Sequence, residues 1–496
     1  MISYCKIFLG TNRIRNERIK IFMKKTLKVF TSCALSISML LSLTACGNTK
    51  STSSDDSFKE DVVQEGSRTQ ADWIDTAVLY EVNVRQYTAE GTFNAFSEHL
   101  QRLHDMGINT LWFMPIYSIS ELNKKGSLGS PYSIRDYKTV NSEYGTNEDF
   151  KNLVDKAHEM GFKVLIDWVG NHTGWDHVWI TEHPEYYVKD ENGDITCPLG
   201  TDWIDVAQLD YQNQDMRAAM IDAMSFWIRD MDIDGFRCDY AQGVSIDFWE
   251  EARKELDKIK PIYMVAEDGT NSDSLLNSAF DSNYNFELYD ELKFAANMPN
   301  TADDIEKYIC MEHPYGSFKM NFIDNHDKNT YNGTLRDRFG SEALGAFYTI
   351  IFTAEGMPLI YSGNEEDDDI SLEFFEKDNI DFGDYKYADL LTRLCNIKTE
   401  NEPLYNGIYG GKIRIINNDN DNILSFERVK NGKKITVLVN VSDEKQTVKY
   451  DKKMSDGDIL IHGDTTGIYD DENSNIKTNE LTSLAPWEYY IIASQK

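Results

Sequence analysis

The chain has 496 residues, 41% of them hydrophobic and 12% aromatic, enough to bury a large core in two or three domains and too apolar for a disordered or repeat-type chain. A formal net charge of −33 repels nucleic acid and anionic lipid and points to a neutral substrate. The first 46 residues run against this trend: they hold eight Lys/Arg against the single acid Glu17, so the remainder carries −40.

Within those 46 residues, Met23-Lys24-Lys25 precedes the apolar run 29–45, the charged and hydrophobic regions of a secretory signal. A start at Met23 would leave 1–22 as extra sequence. The run is marginal as a membrane span, and Leu43-Thr44-Ala45-Cys46 resembles the lipobox of bacterial lipoproteins, in which the cysteine is lipidated. The expected address is therefore the outer face of a bacterial cell envelope, anchored through Cys46; a plain signal peptide and a secreted chain form the alternative. Residues 47–70, polar and poor in aromatics, read as a flexible tether. Beyond Cys46 only Cys197, Cys238, Cys310 and Cys395 occur, without CxxC spacing. Neither a zinc site nor a disulfide framework is indicated, and one incidental disulfide remains open.

From Ala71 short β-rich runs alternate with amphipathic ones. The runs are VLYEVNV (78–84), NTLWFMP (109–115), KVLIDWV (163–169), DGFRCDY (234–240), IYMVAED (262–268), NYNFEL (283–288), KMNFID (319–324) and MPLIYSG (357–363). Between them FNAFSEHLQRLHDMG, EDFKNLVDKAHEMG and MRAAMIDAMSFWIRDM carry apolar residues at helical spacing, two of them stopping at Met-Gly. Eight such alternations predict a closed parallel (β/α)8 TIM barrel over 71–402. An open doubly wound sheet competes, but no glycine-rich loop follows the first strand. Residues 116–147 and the inserted segment 173–208 are too long for plain connections, and long loops at the C-terminal strand ends are where barrels build sites. From 403 to 496, KIRIINN, ILSFERV, KITVLVNV, TVKY, DILIHG and WEYYIIA with turns NDNDN and NGK predict an antiparallel β-sandwich.

Four strand ends carry reactive residue types: DWVGNH (167–172), GFRCDYA (235–241), VAED (265–268) and FIDNHD (322–327). Residues two apart on a strand share a face, so Arg237 and Asp239 point together while Phe236 and Cys238 face the outer helices. A guanidinium holds a buried carboxylate ionised, as a nucleophile requires. A core ion pair would explain Arg237 and Asp239 alone, and packing would explain His172 or His326 alone. It does not explain three acidic strand ends and two Asn-His pairs at one end of one barrel.

In those four motifs, in order, the sequence resembles the α-amylase superfamily of glycoside hydrolases (family 13). DWVGNH, GFRCD, Glu267 and the terminal NHD match its signatures, and SPYSIRDYKTVNSEYGT (130–146) and GMPLIYSGNEE (356–366) add agreement. The resemblance implies a retaining hydrolase of α-1,4-glucosidic bonds in starch-like glucans, with Asp239 as nucleophile, Glu267 as general acid and base, and Asp327 gripping the distorted sugar. Tyr132, His172, Arg237 and His326 would bind or frame that sugar, and Asp167, Asn171 and Asn325 would support the site. A neopullulanase or α-glucosidase, an α-glucan transglycosylase, and a silent surface glucan-binding protein are the other readings; Tyr240, after the nucleophile, matches neither common linkage preference.

Many family members bind a structural calcium beside the insertion. Asn171 matches a usual ligand, whereas Gly243 and Gln208 stand where a histidine and an aspartate are expected and Gln242 replaces a lysine, so no cofactor and no metal are expected there. DENGD (190–194) reads as a hairpin turn and NEEDDD (364–369) as a solvated loop. His172 and His177 lack zinc spacing. The expected partner is an α-glucan or maltooligosaccharide, with no nucleic acid, membrane contact only through the anchor, and a monomeric chain.

Overall fold

Eight short strands close into a parallel barrel: β1 (Leu79–Val82), β2 (Thr110–Phe113), β3 (Lys163–Val169), β4 (Gly235–Asp239), β5 (Tyr263–Ala266), β6 (Ser282–Tyr284), β7 (Phe318–Asn321) and β8 (Met357–Tyr361). Their order around the barrel is β1-β8-β7-β6-β5-β4-β3-β2. The computed structural model describes residues 68–270, 273–366, 370–469 and 477–495; the expected signal, Cys46 and the tether as far as 67 lie outside them. Among the described residues no helix is long and apolar enough to cross a membrane.

Local chemistry sets the element ends. Helix α1 (Asn147–Glu159) begins with a reciprocal capping box between Thr146 and Asp149, buries Phe150, Leu153, Val154 and Ala157, and ends before Gly161 at φ 91°. Helix α2 (Gln214–Arg229) starts where the Asn213 side chain accepts the N–H groups of Asp215 and Met216. NYNFEL is shorter as a strand than its pattern predicts: β6 stops at Tyr284 because Asn285 accepts the Leu288 N–H and caps a helix over Phe286–Ala295. FNAFSEHLQRLHDMG is two helices, Phe93–Ser97 and Leu100–Asp105. Between them the Glu98 and His99 N–H groups bond three residues back, a tight turn that re-aims the apolar face.

Residues 68–70, read from sequence as the end of the tether, are packed. Arg68 is buried against Asp281 (Nε–Oδ1 3.1 Å) and donates to the Leu276 carbonyl, so order begins earlier than composition suggests. The insertion leaves and rejoins the end of β3 through an antiparallel ribbon, His172–Gly174 with Val206–Gln208. Its DENGD segment is the expected turn: Asp190 accepts the N–H groups of Asn192 and Asp194.

The C-terminal domain is a six-stranded antiparallel sheet, β9 (Ile413–Ile415), β10 (Ile423–Lys430), β11 (Lys433–Asn440), β12 (Asp458–Asp464), β13 (Gly467–Ile468) and β14 (Tyr489–Gln495), ordered β9-β10-β11-β14-β12-β13. Asn431 and Gly432, at φ 48° and 78°, make the β10–β11 hairpin turn. One face covers a small core of Ile423, Leu438, Tyr490 and Ile492 with Val448 and Leu484 of a two-stranded ribbon. The other packs on the barrel, where Phe347 of a buried helix (Leu344–Thr353) meets Trp487 at 5.6 Å. The second sheet of the sandwich is thus reduced to that ribbon.

Candidate active site

The barrel register brings the four motifs together. Asp167 pairs with Arg237 and Val169 with Asp239 across β3 and β4, and Arg237 pairs with Val265 across β4 and β5. Alternation then sends Arg237 and Asp239 inward and Phe236 and Cys238 outward into the apolar layer, where Phe236 meets Trp168 edge-on.

Arg237 is the hub. Its Nη1 donates to Asp167 (2.8 and 3.0 Å) and to Asp239 Oδ1 (2.9 Å), its Nη2 lies 3.0 Å from Glu267 Oε2, and its Nε donates to Tyr284 Oη at 3.0 Å. The indole of Trp112 lies 5.2 Å from the guanidinium carbon. Fully buried, the cation is locked on by its carboxylates, so its proton is held more tightly than in water. Glu267 Oε2 also accepts the Tyr240 backbone N–H at 2.8 Å, and Tyr240 takes a left-handed backbone, φ 41° and ψ 47°, to deliver it. That contact and Arg237 leave Oε1 as the glutamate's uncommitted oxygen.

Exposure separates the acids. Asp167 has no accessible side-chain surface, while Asp239, Glu267 and Asp327 expose 13%, 19% and 40% of theirs. Asp167 therefore supports Arg237 without reaching the cleft, and the other three line it. Burial pushes the carboxyls of Asp167 and Asp239 up; Arg237 opposes this, and Glu267 adds to the rise of both. With Glu81 the site holds five acids around two cations, Arg237 and His326. A charge set so unbalanced favours keeping a proton within it, titrating as a set.

His326 opens a short helix, α3 (His326–Asn332), whose cap is Asn325, accepting the Lys328 N–H. Its Nδ1 faces Glu81 Oε1 at 2.5 Å, its Nε2 faces Tyr132 Oη at 2.8 Å, and Tyr132 Oη donates to Asp167 Oδ2 at 3.1 Å. Burial lowers the affinity of this imidazole for its proton, but Asp327 and Glu81 more than reverse that and raise it to about 9. A raised folded value means stability present below the unfolded value near 6.5 and lost as pH rises through 9. Roughly 3 kcal/mol is at stake across that window. We expect denaturant-unfolding stability to fall between pH 6.5 and 9, and His326→Gln to remove most of that slope; an equal slope in both proteins would refute the assignment.

The ring of Tyr132 is nearly buried, stacked between His326 and Phe374. His172 is buried and held neutral by that burial, which lowers it to about 4. These residues open on a cleft of about 600 Å³. Its walls also carry the aromatic contacts of Trp203 with Tyr240 (5.5 Å) and of Tyr331 with Phe374 (5.7 Å). An ion pair, Lys125 Nζ to Asp205 Oδ1 at 2.8 Å, ties the loop after β2 to the insertion beside it.

Sequence reasoning missed Glu81, Trp203, Tyr331 and Phe374. An acid amid the apolar residues of VLYEVNV was a usable signal for Glu81; Trp203 and Phe374 sit in loops and Tyr331 in the short helix α3, with no periodicity to mark them. NEEDDD was misread as wholly solvated. Glu365 is buried, accepting from Arg102 Nη2 and Tyr80 Oη at 2.8 Å, and Glu366 accepts the Asp384 and Tyr385 N–H groups; 367–369 lie outside the described residues. His177 caps the helix Val178–Glu182.

The residues present beside Asn171 do not fit a calcium ion. A hydrogen-bond donor, Gln208 Nε2, stands among the oxygens a cation would need, within 3.2 Å of Asn171 O, Asn171 Oδ1 and Leu209 O. A Cβ on Gly243 would meet Tyr240 Cε1 at 2.3 Å, so a ligand side chain there requires the Tyr240 ring to move.

A family model described as the alpha-amylase catalytic domain matches residues 52–195 and 199–381. Alpha-amylase 3 of Dictyoglomus thermophilum is 27% identical over 461 residues, spanning 78% of this chain and 89% of that one. Among solved structures, an alpha-amylase from Lactobacillus plantarum is 30% identical with a TM-score of 0.72, covering 84% of this chain and 99% of its own. A noncanonic maltogenic alpha-amylase from Thermotoga neapolitana is 29% identical with a TM-score of 0.70, over 85% and 96%.

Proposed function

Because the chain belongs to the alpha-amylase family of glycoside hydrolases, we propose that it cleaves α-1,4-glucosidic bonds of starch-like glucans and maltodextrins with retention, through a covalent glycosyl-enzyme. The observation that carries this reading is the single guanidinium holding both Asp239 (2.9 Å) and Glu267 (3.0 Å). Carboxylates on the two end nitrogens of one guanidinium suit the separation of about 5–5.5 Å that a retaining pair needs; an inverting pair would stand apart to admit a water.

In the first half-reaction Asp239 attacks the anomeric carbon and Glu267 gives its proton to the departing glycosidic oxygen, which leaves as an alcohol. In the second, Glu267 takes a proton from water as that water attacks the same carbon, releasing Asp239 and restoring both groups. Oε1 of Glu267 carries the proton, since Oε2 is engaged by Tyr240 and Arg237. Asp327, the most open of the three acids, holds sugar hydroxyls and faces the charge that develops on the ring, steadied by His326 Nε2 at 3.5 Å. His172, neutral, donates or accepts a hydrogen bond without adding a charge. The cleft's aromatic pairs offer apolar faces to sugar C–H surfaces, and its acids repel anionic ligands.

Soluble starch, pullulan and maltotriose, digested in parallel with products sized and their anomers read by NMR, test the reading. We expect α-anomeric maltooligosaccharides from starch and slower attack on pullulan. Initial β-anomers would overturn retention, and starch that binds without new reducing ends would make this a binding protein.

A further inference from the structure

We propose that the side-chain amide of Gln208 takes over the work of a bound cation: it fastens the inserted segment to the end of β3 and, through Asn171, sets the orientation of His172 in the cleft. Its Nε2 lies 3.0 Å from Asn171 O, 3.1 Å from Asn171 Oδ1 and 3.2 Å from Leu209 O. Three acceptors converging on one nitrogen is what a divalent ion would otherwise satisfy; here two N–H bonds are shared among them. The ladder makes this possible, because His172 and Gln208 are direct partners in the ribbon that returns the insertion to the barrel.

The amide also reaches past its own contacts. With its oxygen engaged by Gln208, the Asn171 side chain presents Nδ2 to His172 Nδ1 at 3.2 Å and to Gln208 Oε1 at 3.5 Å. An N–H aimed at Nδ1 makes that nitrogen the acceptor and puts the ring proton on Nε2. The tautomer and tilt of His172 are then set two residues away from the sugar. Tyr240 closes the pocket's remaining side, its ring seated against Gly243, where even a Cβ would also come within 2.9 Å of Asn171 Oδ1. Gln208 is thus a positioning residue, and the insertion is joined to the barrel without metal.

Two substitutions separate the donor from the shape. Gln208→Glu keeps the outline, removes both N–H bonds and sets a negative charge against three carbonyl oxygens; Gln208→Lys restores donors in the form of an ammonium group. Melting temperature is read in EDTA and in millimolar calcium, with KM and kcat on maltodextrin; the kinetic arm rests on the proposed hydrolase activity and the melting arm does not. The wild type is expected to melt at one temperature in both media. Gln208→Glu should melt lower in EDTA and raise KM about tenfold with a smaller change in kcat, and Gln208→Lys should recover both. The proposal fails if EDTA lowers the wild-type melting temperature and calcium restores it, if Gln208→Glu keeps wild-type melting and KM, or if Gln208→Lys is as impaired as Gln208→Glu. A lower melting temperature with unchanged KM would leave only a staple and overturn the positioning role.

Discussion

Asp239→Asn is expected to lower kcat on soluble starch by about four orders of magnitude with KM within a few-fold of wild type, because the amide fills the same space yet cannot form the glycosyl ester. Nothing else in the cleft can substitute for it. Glu267 Oε2 is held by Tyr240 and Arg237, Asp167 is sealed beneath the guanidinium, and Asp327 is carried on the helix that follows β7 rather than on β4. The fold should tolerate the change, since Arg237 keeps Asp167 and Glu267 as partners. The decisive comparison is kcat beside substrate affinity in a variant that melts as the wild type does: an Asn variant that turns over starch at more than a hundredth of the wild-type rate would remove Asp239 from the chemistry.

Arg237→Leu should be the most damaging change to stability. It leaves Asp167, Asp239 and Glu267 facing one another with no cation between them, and loss of one partner from a buried ionic cluster costs about 3–5 kcal/mol. The pH dependence has a definite sign. Burial already holds Asp167 and Asp239 above the ordinary carboxylate range, and losing Arg237 raises them further. A carboxyl raised in the folded state contributes its stability below the unfolded value near 4 and forfeits it as pH rises through the folded one. The variant's deficit, read by urea unfolding, should therefore be larger at pH 8 than at pH 5. Residual activity should shift its acid limb upward, since a protonated Asp239 is no nucleophile. Arg237→Lys should fall between, a single ammonium being unable to span the arginine's contacts. Equal deficits at the two pH values would mean that Arg237 acts through packing against Trp112 rather than through charge.

What sequence could and could not deliver follows from the range of each interaction. That Arg237 and Asp239 share a face while Phe236 and Cys238 face away is a consequence of strand pleating, and it was readable from five letters. The barrel was readable because its strands are short apolar runs between helices with clear caps. Glu81 and His326 are 245 positions apart in the chain, and no local pattern joins them, although their contact helps give His326 its charge. Glu365 was misjudged for the same reason: its partners, Arg102 and Tyr80, belong to the other end of the barrel sequence. Gln208 was legible as a glutamine where the family pattern expects an aspartate but not as a donor to three carbonyl oxygens, because only the return of the insertion beside β3 gathers them around its amide.

The left-handed turn at Tyr240 has a consequence for how this scaffold can diversify. The two carboxylates, at the ends of adjacent strands β4 and β5, are held by parts that the end of β4 alone supplies: the guanidinium of Arg237 and the peptide N–H of Tyr240, the residue after Asp239. The aromatic walls of Trp203, Tyr331 and Phe374 come from elsewhere in the chain. Exchange of those walls can change which ligand the cleft admits without touching the parts that hold Asp239 and Glu267 together, so cleft shape and carboxylate spacing can vary independently in this molecule.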